Sequence, residues 1–196
     1  MAARTTAPEI AAEVVLDRRL IEVGTWLALA ADTFFWAAWW FSFFYLRALN
    51  NDQAWTANGV GPPSRGFGLV VLGLVVLMAL TYWFTATVAV RSFTFSLLAP
   101  VSLVFGIAAV LFQAYGLWHL GFGLTDGGYP SVFAGTTGAW VIHLLFAVGW
   151  LATVVVQARP LGDTAVRPYA AGTFRWILLY LAGVGVINFI LLYLVH

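Results

Sequence analysis

The chain has 196 residues, of which 62% are hydrophobic and 9% charged, with a mean hydropathy of +0.92 and a formal net charge of +1. Soluble domains carry about a quarter charged residues, so this composition excludes one and points to the bilayer. The small net charge offers no electrostatic hold on nucleic acid. The absence of cysteine excludes disulfides, thiolate metal sites and iron–sulfur clusters.

The N-terminal stretch is expected to stay on the protein. Glu9, Glu13, Asp17, Arg18, Arg19 and Glu22 stand where a cleavable signal needs an apolar core. Thr6 and Glu9, with Pro8 between them, form a capped helix start. They predict a short surface helix within 1–22 that leads straight into the first span.

Five apolar stretches follow, near 23–46, 66–90, 95–120, 131–157 and 174–195. Each can cross a hydrocarbon core of about 30 Å, which takes about 20 helical residues. They are continuous rather than alternating, which disfavours a β-barrel, and helices satisfy their own backbone polar groups as lipid requires. The fold class expected is therefore all-α: a polytopic transmembrane bundle of five spans forming one membrane domain, 1–196. Pro100 should kink the third span or mark its first turn.

Arginine placement sets the expected orientation. Arg4, Arg18, Arg19, Arg91, Arg159, Arg167 and Arg175 fall on one side, and only Arg47 and Arg65 on the other. Seven against two predicts a cytoplasmic N-terminus and, after five spans, an outward C-terminus. The two outer loops, 50–65 with Trp55 and Pro62-Pro63, and the glycine-rich 121–130, read as ordered but inert. The aromatic run Phe34-Phe35-Trp36, Trp39-Trp40-Phe41, Phe43-Phe44-Tyr45 covers every face of the first helix and reads as packing against lipid and neighbouring helices.

Few ionisable groups lie deep in the spans. Asp32 sits about nine residues into the first, roughly 13 Å along it. A carboxylate at such depth costs several kcal/mol, so Asp32 must be neutral, paired, or in a wet or headgroup-lined cleft, and it is a functional candidate by default. His143 lies near the middle of the fourth span, while His119 is near the end of the third and His196 closes the chain. Three histidines at different depths make neither a facing haem pair nor a copper site. Gln113, Tyr115 and Asn188 read as interhelical polar glue, and Gly183 and Gly185 as places of close approach. No nucleophile–base pair, phosphate loop or paired carboxylate is present, so no catalytic centre is expected in the chain itself.

Several motifs, taken in order, resemble the five-helix form of haem–copper oxidase subunit III. Ala31-Asp32-Thr33-Phe34-Phe35 and Phe44-Tyr45-Leu46-Arg47 are similar to that family's first helix, where Ser-Glu precedes paired aromatics and a Tyr ends the helix. Trp55 and Pro62 fall in the following loop as a Trp and prolines do there. Gln113-Ala114-Tyr115 looks like Gln-x-Tyr-Glu, with Gly116 in place of the Glu. Ser131-Val132-Phe133 and Thr137-Gly138-Ala139-Trp140-Val141-Ile142-His143 are similar to Ser-x-Phe and Thr-Gly-x-His-x-x-His, with Trp140 in place of the first His. The last span reads Tyr180-Leu181-Ala182-Gly183-Val184 where the family carries Trp-His-Phe-x-x-Asp.

The resemblance implies a multi-pass subunit of a prokaryotic plasma membrane that binds no redox centre. Haem and copper would sit in partner subunits I and II. Structural phospholipid would occupy a cleft between this chain's helices, which would stabilise subunit I and support proton uptake. Asp32, His143, Gln113, Tyr115, Thr137 and Trp140 would form the polar and cleft-lining set. Two other readings remain open: the related accessory subunit of nitric oxide reductases, and a stand-alone transporter or channel using Asp32. The latter should show an internal repeat, and five spans do not divide into halves. A membrane enzyme would need cofactors from elsewhere.

Overall fold

The computed structural model describes residues 7–50, 55–56, 60–89, 92–157 and 168–195. These form α1 (Ala7–Ala48), α2 (Arg65–Thr85), α3 (Phe93–Trp118), α4 (Gly128–Gln157) and α5 (Pro168–Phe189), and α5 continues as a π-helical stretch, Ile190–Leu194. All five helices contain a segment long and apolar enough to cross a membrane. No strand occurs among the described residues. The chain is all-helical and multi-pass.

Helix ends differ from the sequence expectation where side chains compete with the backbone. The expected surface helix and first span are one helix of 42 residues. The Arg18 guanidinium bridges the junction to Glu22 at 2.8 Å, one turn on. Thr6, the expected cap, lies outside the described residues. At its far end α2 stops at Thr85, five residues short of the expected stretch. There Thr85 and Thr87 turn their hydroxyls onto the carbonyls of Thr81 and Phe84, both at 2.7 Å. Such local bonds offer the backbone an alternative to continuing the helix. Ser92 then caps α3, its hydroxyl accepting from the Phe95 amide at 3.0 Å. Pro100 is inside α3 rather than in its first turn, and the helix runs on to Trp118.

Packing gives the helices unequal roles. α2 lies against α3 and α5, α3 against α4, and α1 against α4 and α5. The spanning part of α5 is 50% buried and that of α1 only 11%. Thus α5 is the central helix and α1 the outer one. At the α2–α3 seam the Ser102 hydroxyl bonds the Met78 carbonyl at 2.8 Å. The absence of a side chain at Gly106 leaves room for Met78, whose sulfur would lie 2.7 Å from a Cβ there.

Two apolar clusters fill the bundle. The larger contains Trp36, Val75, Met78, Tyr82, Leu144 and Leu178. The smaller gathers Phe43, Trp55, Tyr129, Phe133 and Tyr193 at the opposite end from the chain's start. There the Tyr129 amide donates to the Trp55 carbonyl at 2.9 Å, and its hydroxyl donates to the Leu192 carbonyl at 2.7 Å. Trp55 is thereby a buried anchor between α1 and α2, held against α4 and α5. At the other end Arg175 lies over Trp83, 4.6 Å from the ring centroid, and Trp26 meets Trp176 at 5.8 Å. A cation among indoles at a bundle end is the arrangement that anchors helices at a membrane–water boundary.

The aromatic run on α1 divides as helical geometry requires. Trp36 and Phe43 are buried, whereas Phe34 and Phe41 are exposed. The run packs inward on one side and offers the other to its apolar surroundings.

Candidate functional site

Asp32 and Trp36 are one turn apart on the inner face of α1, and His143 faces them from α4. The Asp32 Oδ1 atom lies 2.8 Å from His143 Nε2, and Oδ2 accepts from the Trp36 indole N–H at 3.0 Å. Counted along their helices at 1.5 Å per residue, these two ionisable groups lie within about 10 Å of each other in depth. In the folded chain they touch.

Hydrogen-bond arithmetic fixes the charge of the pair. His143 Nδ1 is 2.8 Å from the Ala139 carbonyl oxygen, which can only accept, so Nδ1 carries a hydrogen. The short Nε2–Oδ1 contact then holds one proton between two acceptor atoms. With that proton on the carboxyl, both groups are neutral; with it on the ring, they form an ion pair. The net charge is zero in both cases. This neutrality is what lets two ionisable groups share a site in apolar surroundings, where an unpaired charge is costly.

The rings around the pair hold it in register. The imidazole packs against both Phe35 and Trp36, with centroids 5.3 and 5.0 Å away. Trp36 meets Trp140 edge to face at 5.9 Å. Asp32, Trp36 and Trp40 recur every four residues on α1, and Thr137, Trp140 and His143 every three on α4. Two turn-spaced stripes therefore face each other across the seam.

The pair opens into a cleft of about 320 Å³ between α1, α4 and α5, walled by Phe146, Trp150, Phe174, Ile177 and Tyr180. Trp150 stacks on Phe174 at 5.7 Å. The walls are mostly apolar, and Asp32, His143 and Tyr180 bring polar groups to them. The side chains of Asp32 and His143 are 23% and 24% exposed there. Sequence reasoning had Tyr180 only as a departure from a motif. Its hydroxyl lies 3.3 Å from the Thr33 oxygen, which also bonds the Leu29 carbonyl at 2.7 Å. Its position five residues after Arg175, in a span with no other ionisable side chain before it, was the available signal.

The other sequence candidates go elsewhere. Gln113, Thr137 and Trp140 line a separate, smaller cavity together with Asn188. Tyr115 is exposed on α3, beside His119 at 4.1 Å and Phe67 at 6.5 Å, and borders neither space. His119 bonds the Tyr115 carbonyl at 2.9 Å, and His196 lies outside the described residues. Of the two glycines, Gly185 receives the Trp140 ring, while Gly183 faces open space. Among the described residues no three His, Cys, Asp or Glu side chains come close enough to hold a metal ion.

No family model matches the chain. It is similar to cytochrome c oxidase subunit 3 of Bacillus subtilis (strain 168), with 24% identity over 182 residues, spanning 86% of this chain and 84% of that protein. This supports a distant relationship that runs through nearly the whole of both chains.

Proposed function

We propose that this chain is a non-catalytic accessory subunit, subunit III-like, of a haem–copper terminal oxidase in a prokaryotic plasma membrane. The observation that carries the reading is the near full-length similarity to an oxidase subunit 3, across a chain whose five helices could each cross a membrane. The Asp32–His143 pair adds support, because it joins two residues that fall within the motifs resembling that family. In this reading the chain binds no haem or copper; those belong to subunits I and II, and this chain stabilises subunit I and supports its proton uptake. The N-terminus is cytoplasmic and the C-terminus outside.

The cleft is where the chain meets lipid. Its apolar walls suit phospholipid acyl chains, and its volume of about 320 Å³ is in the range of binding pockets. Asp32, His143 and Tyr180 supply its polar groups. A stand-alone transporter would need exchangeable groups continuing from Asp32 through the bundle. The next groups along the two stripes are the Trp36 and Trp140 indoles, which donate a hydrogen bond but cannot accept one. That interruption favours a structural role for the pair over conduction.

The test is to tag the chain, extract native membranes in mild detergent, and record the haem difference spectrum and subunit masses of what co-purifies. A haem-a- or haem-b-type spectrum with a large polytopic partner supports the reading. The partner's substrate, oxygen or nitric oxide, separates the oxidase from the nitric oxide reductase form. A colourless, stable preparation of this chain alone overturns it and brings transport through Asp32 forward.

A further inference from the structure

Beyond Trp140 from the Asp32–His143 pair, the bundle holds a second space of about 40 Å³, bordered by α2, α3, α4 and α5. It lies where α5 passes into its π-helical stretch. Gln113, Thr137 and Asn188 line it, and both amides are only 7% exposed. The Asn188 carbonyl oxygen accepts from the Trp40 indole at 2.9 Å. Its amide nitrogen carries two hydrogens and has no partner among the described residues. The Gln113 side chain borders the same space from α3.

This grouping is costly if the space is dry. A buried, unpaired amide nitrogen such as that of Asn188 loses about 1–3 kcal/mol of hydration, and interiors rarely leave voids as large as a water molecule. The void is also not filled by its neighbours, although they press close. A Cβ on Gly68 would come 2.8 Å from the Tyr193 ring, and one on Gly185 2.8 Å from Trp140. The rings close the walls over the glycines and leave the polar centre open. Apolar cavities stay empty, whereas polar ones of this size hold water.

We infer that this cavity is a binding site for two or three ordered water molecules, held by the Asn188 and Gln113 amides and the Thr137 hydroxyl. The chemistry selects the ligand. No charged side chain lines the space, so it offers nothing to retain an ion. The free Asn188 hydrogens need an acceptor, and Gln113 and Thr137 both donate and accept, which water alone matches at this volume. At about 10–15 Å³ per water centre, 40 Å³ admits at most about three to four. Through Asn188 the waters hold Trp40, and so fasten the outer helix α1 to the central α5 at a point two turns beyond Asp32.

The test uses the full chain in phospholipid bilayers, labelled with nitrogen-15 on its four asparagines and three glutamines. Water-edited solid-state NMR should transfer magnetisation from water to the Asn188 and Gln113 side-chain amides within the protein interior. Failure of both signals to receive it, while amides at the bundle ends do, overturns the inference. Gln113→Met provides a second readout, since methionine nearly matches glutamine in shape and removes only the polar groups. A hydrated cavity predicts a thermal midpoint lowered by about 3 °C or more. A raised midpoint would mean that an unpaired amide had been relieved and that the cavity is dry.

Discussion

Replacing Asp32 by leucine should separate a structural pair from a tolerated polar residue. Leucine strips the acceptor from the Trp36 indole, which is fully buried, and from His143 Nε2. An unpaired buried donor costs about 1–3 kcal/mol, and loss of the half-screened imidazole contact adds about 1 more, so the expected loss is about 2–4 kcal/mol. Asparagine behaves differently, for a reason set by Ala139. His143 keeps its hydrogen on Nδ1, so Nε2 can accept from the asparagine amide while the amide oxygen accepts from Trp36. Both hydrogen bonds survive, and the expected loss is below about 1 kcal/mol. Thermal unfolding of the three proteins in one mild detergent, followed by far-UV circular dichroism, reads the difference. At about 2–4 °C per kcal/mol for a chain of this length, leucine should lower the midpoint by about 4 °C or more. Leucine without effect would show that the pair contributes nothing to the fold. Asparagine as damaging as leucine would show that the pair requires its ion-pair form, with the proton on the ring and a full charge on the carboxylate.

Three further outcomes follow from the same geometry. Gly185→Ala sets a Cβ 2.8 Å from Trp140 and should cost about 1–3 kcal/mol; Gly183→Ala, with nothing within 4 Å, should be neutral or slightly stabilising, and a thermal melt of the two side by side checks both. Trp36→Phe keeps the ring against Trp140 but removes the hydrogen bond to Asp32, for an expected loss of about 1 kcal/mol by denaturant titration. Tyr82→Phe removes the hydroxyl that donates to the Ala171 carbonyl at 3.0 Å, and hydrogen exchange should quicken at the start of α5 while the rest of the bundle is unchanged.

Much of this protein was legible in one dimension. Spans are set by the length and continuity of apolar runs, because a hydrocarbon core demands about 20 helical residues wherever it is crossed. Asp32 and His143 stood out because ionisable groups are rare in such runs, and their depths could be counted at a fixed rise per residue. Depth is a coordinate along each helix, so the sequence could bring the two level but not turn them toward each other. Rotation and neighbour choice depend on which side chains interlock, and those are properties of pairs of helices. Hence Tyr115, two residues from Gln113, faces outward while Gln113 is buried. Helix ends were misjudged for a related reason. α2 ends at Thr85, where Thr87 bonds the Phe84 carbonyl three residues back, which hydropathy does not register.

Residue order alone made the chain a multi-pass bundle and marked the deep polar residues that require partners, since burial in lipid penalises a lone charge wherever it occurs. Who those partners are depends on how the helices pack. The packing set α1 against α4 so that one proton is shared by Asp32 and His143. It also collected Gln113, Thr137 and Asn188 from three helices around one cavity, and left α1 mostly uncovered. Those outcomes rest on contacts such as Trp140 over Gly185 and Tyr193 over Gly68, where close packing between distant segments fixes how each helix is turned.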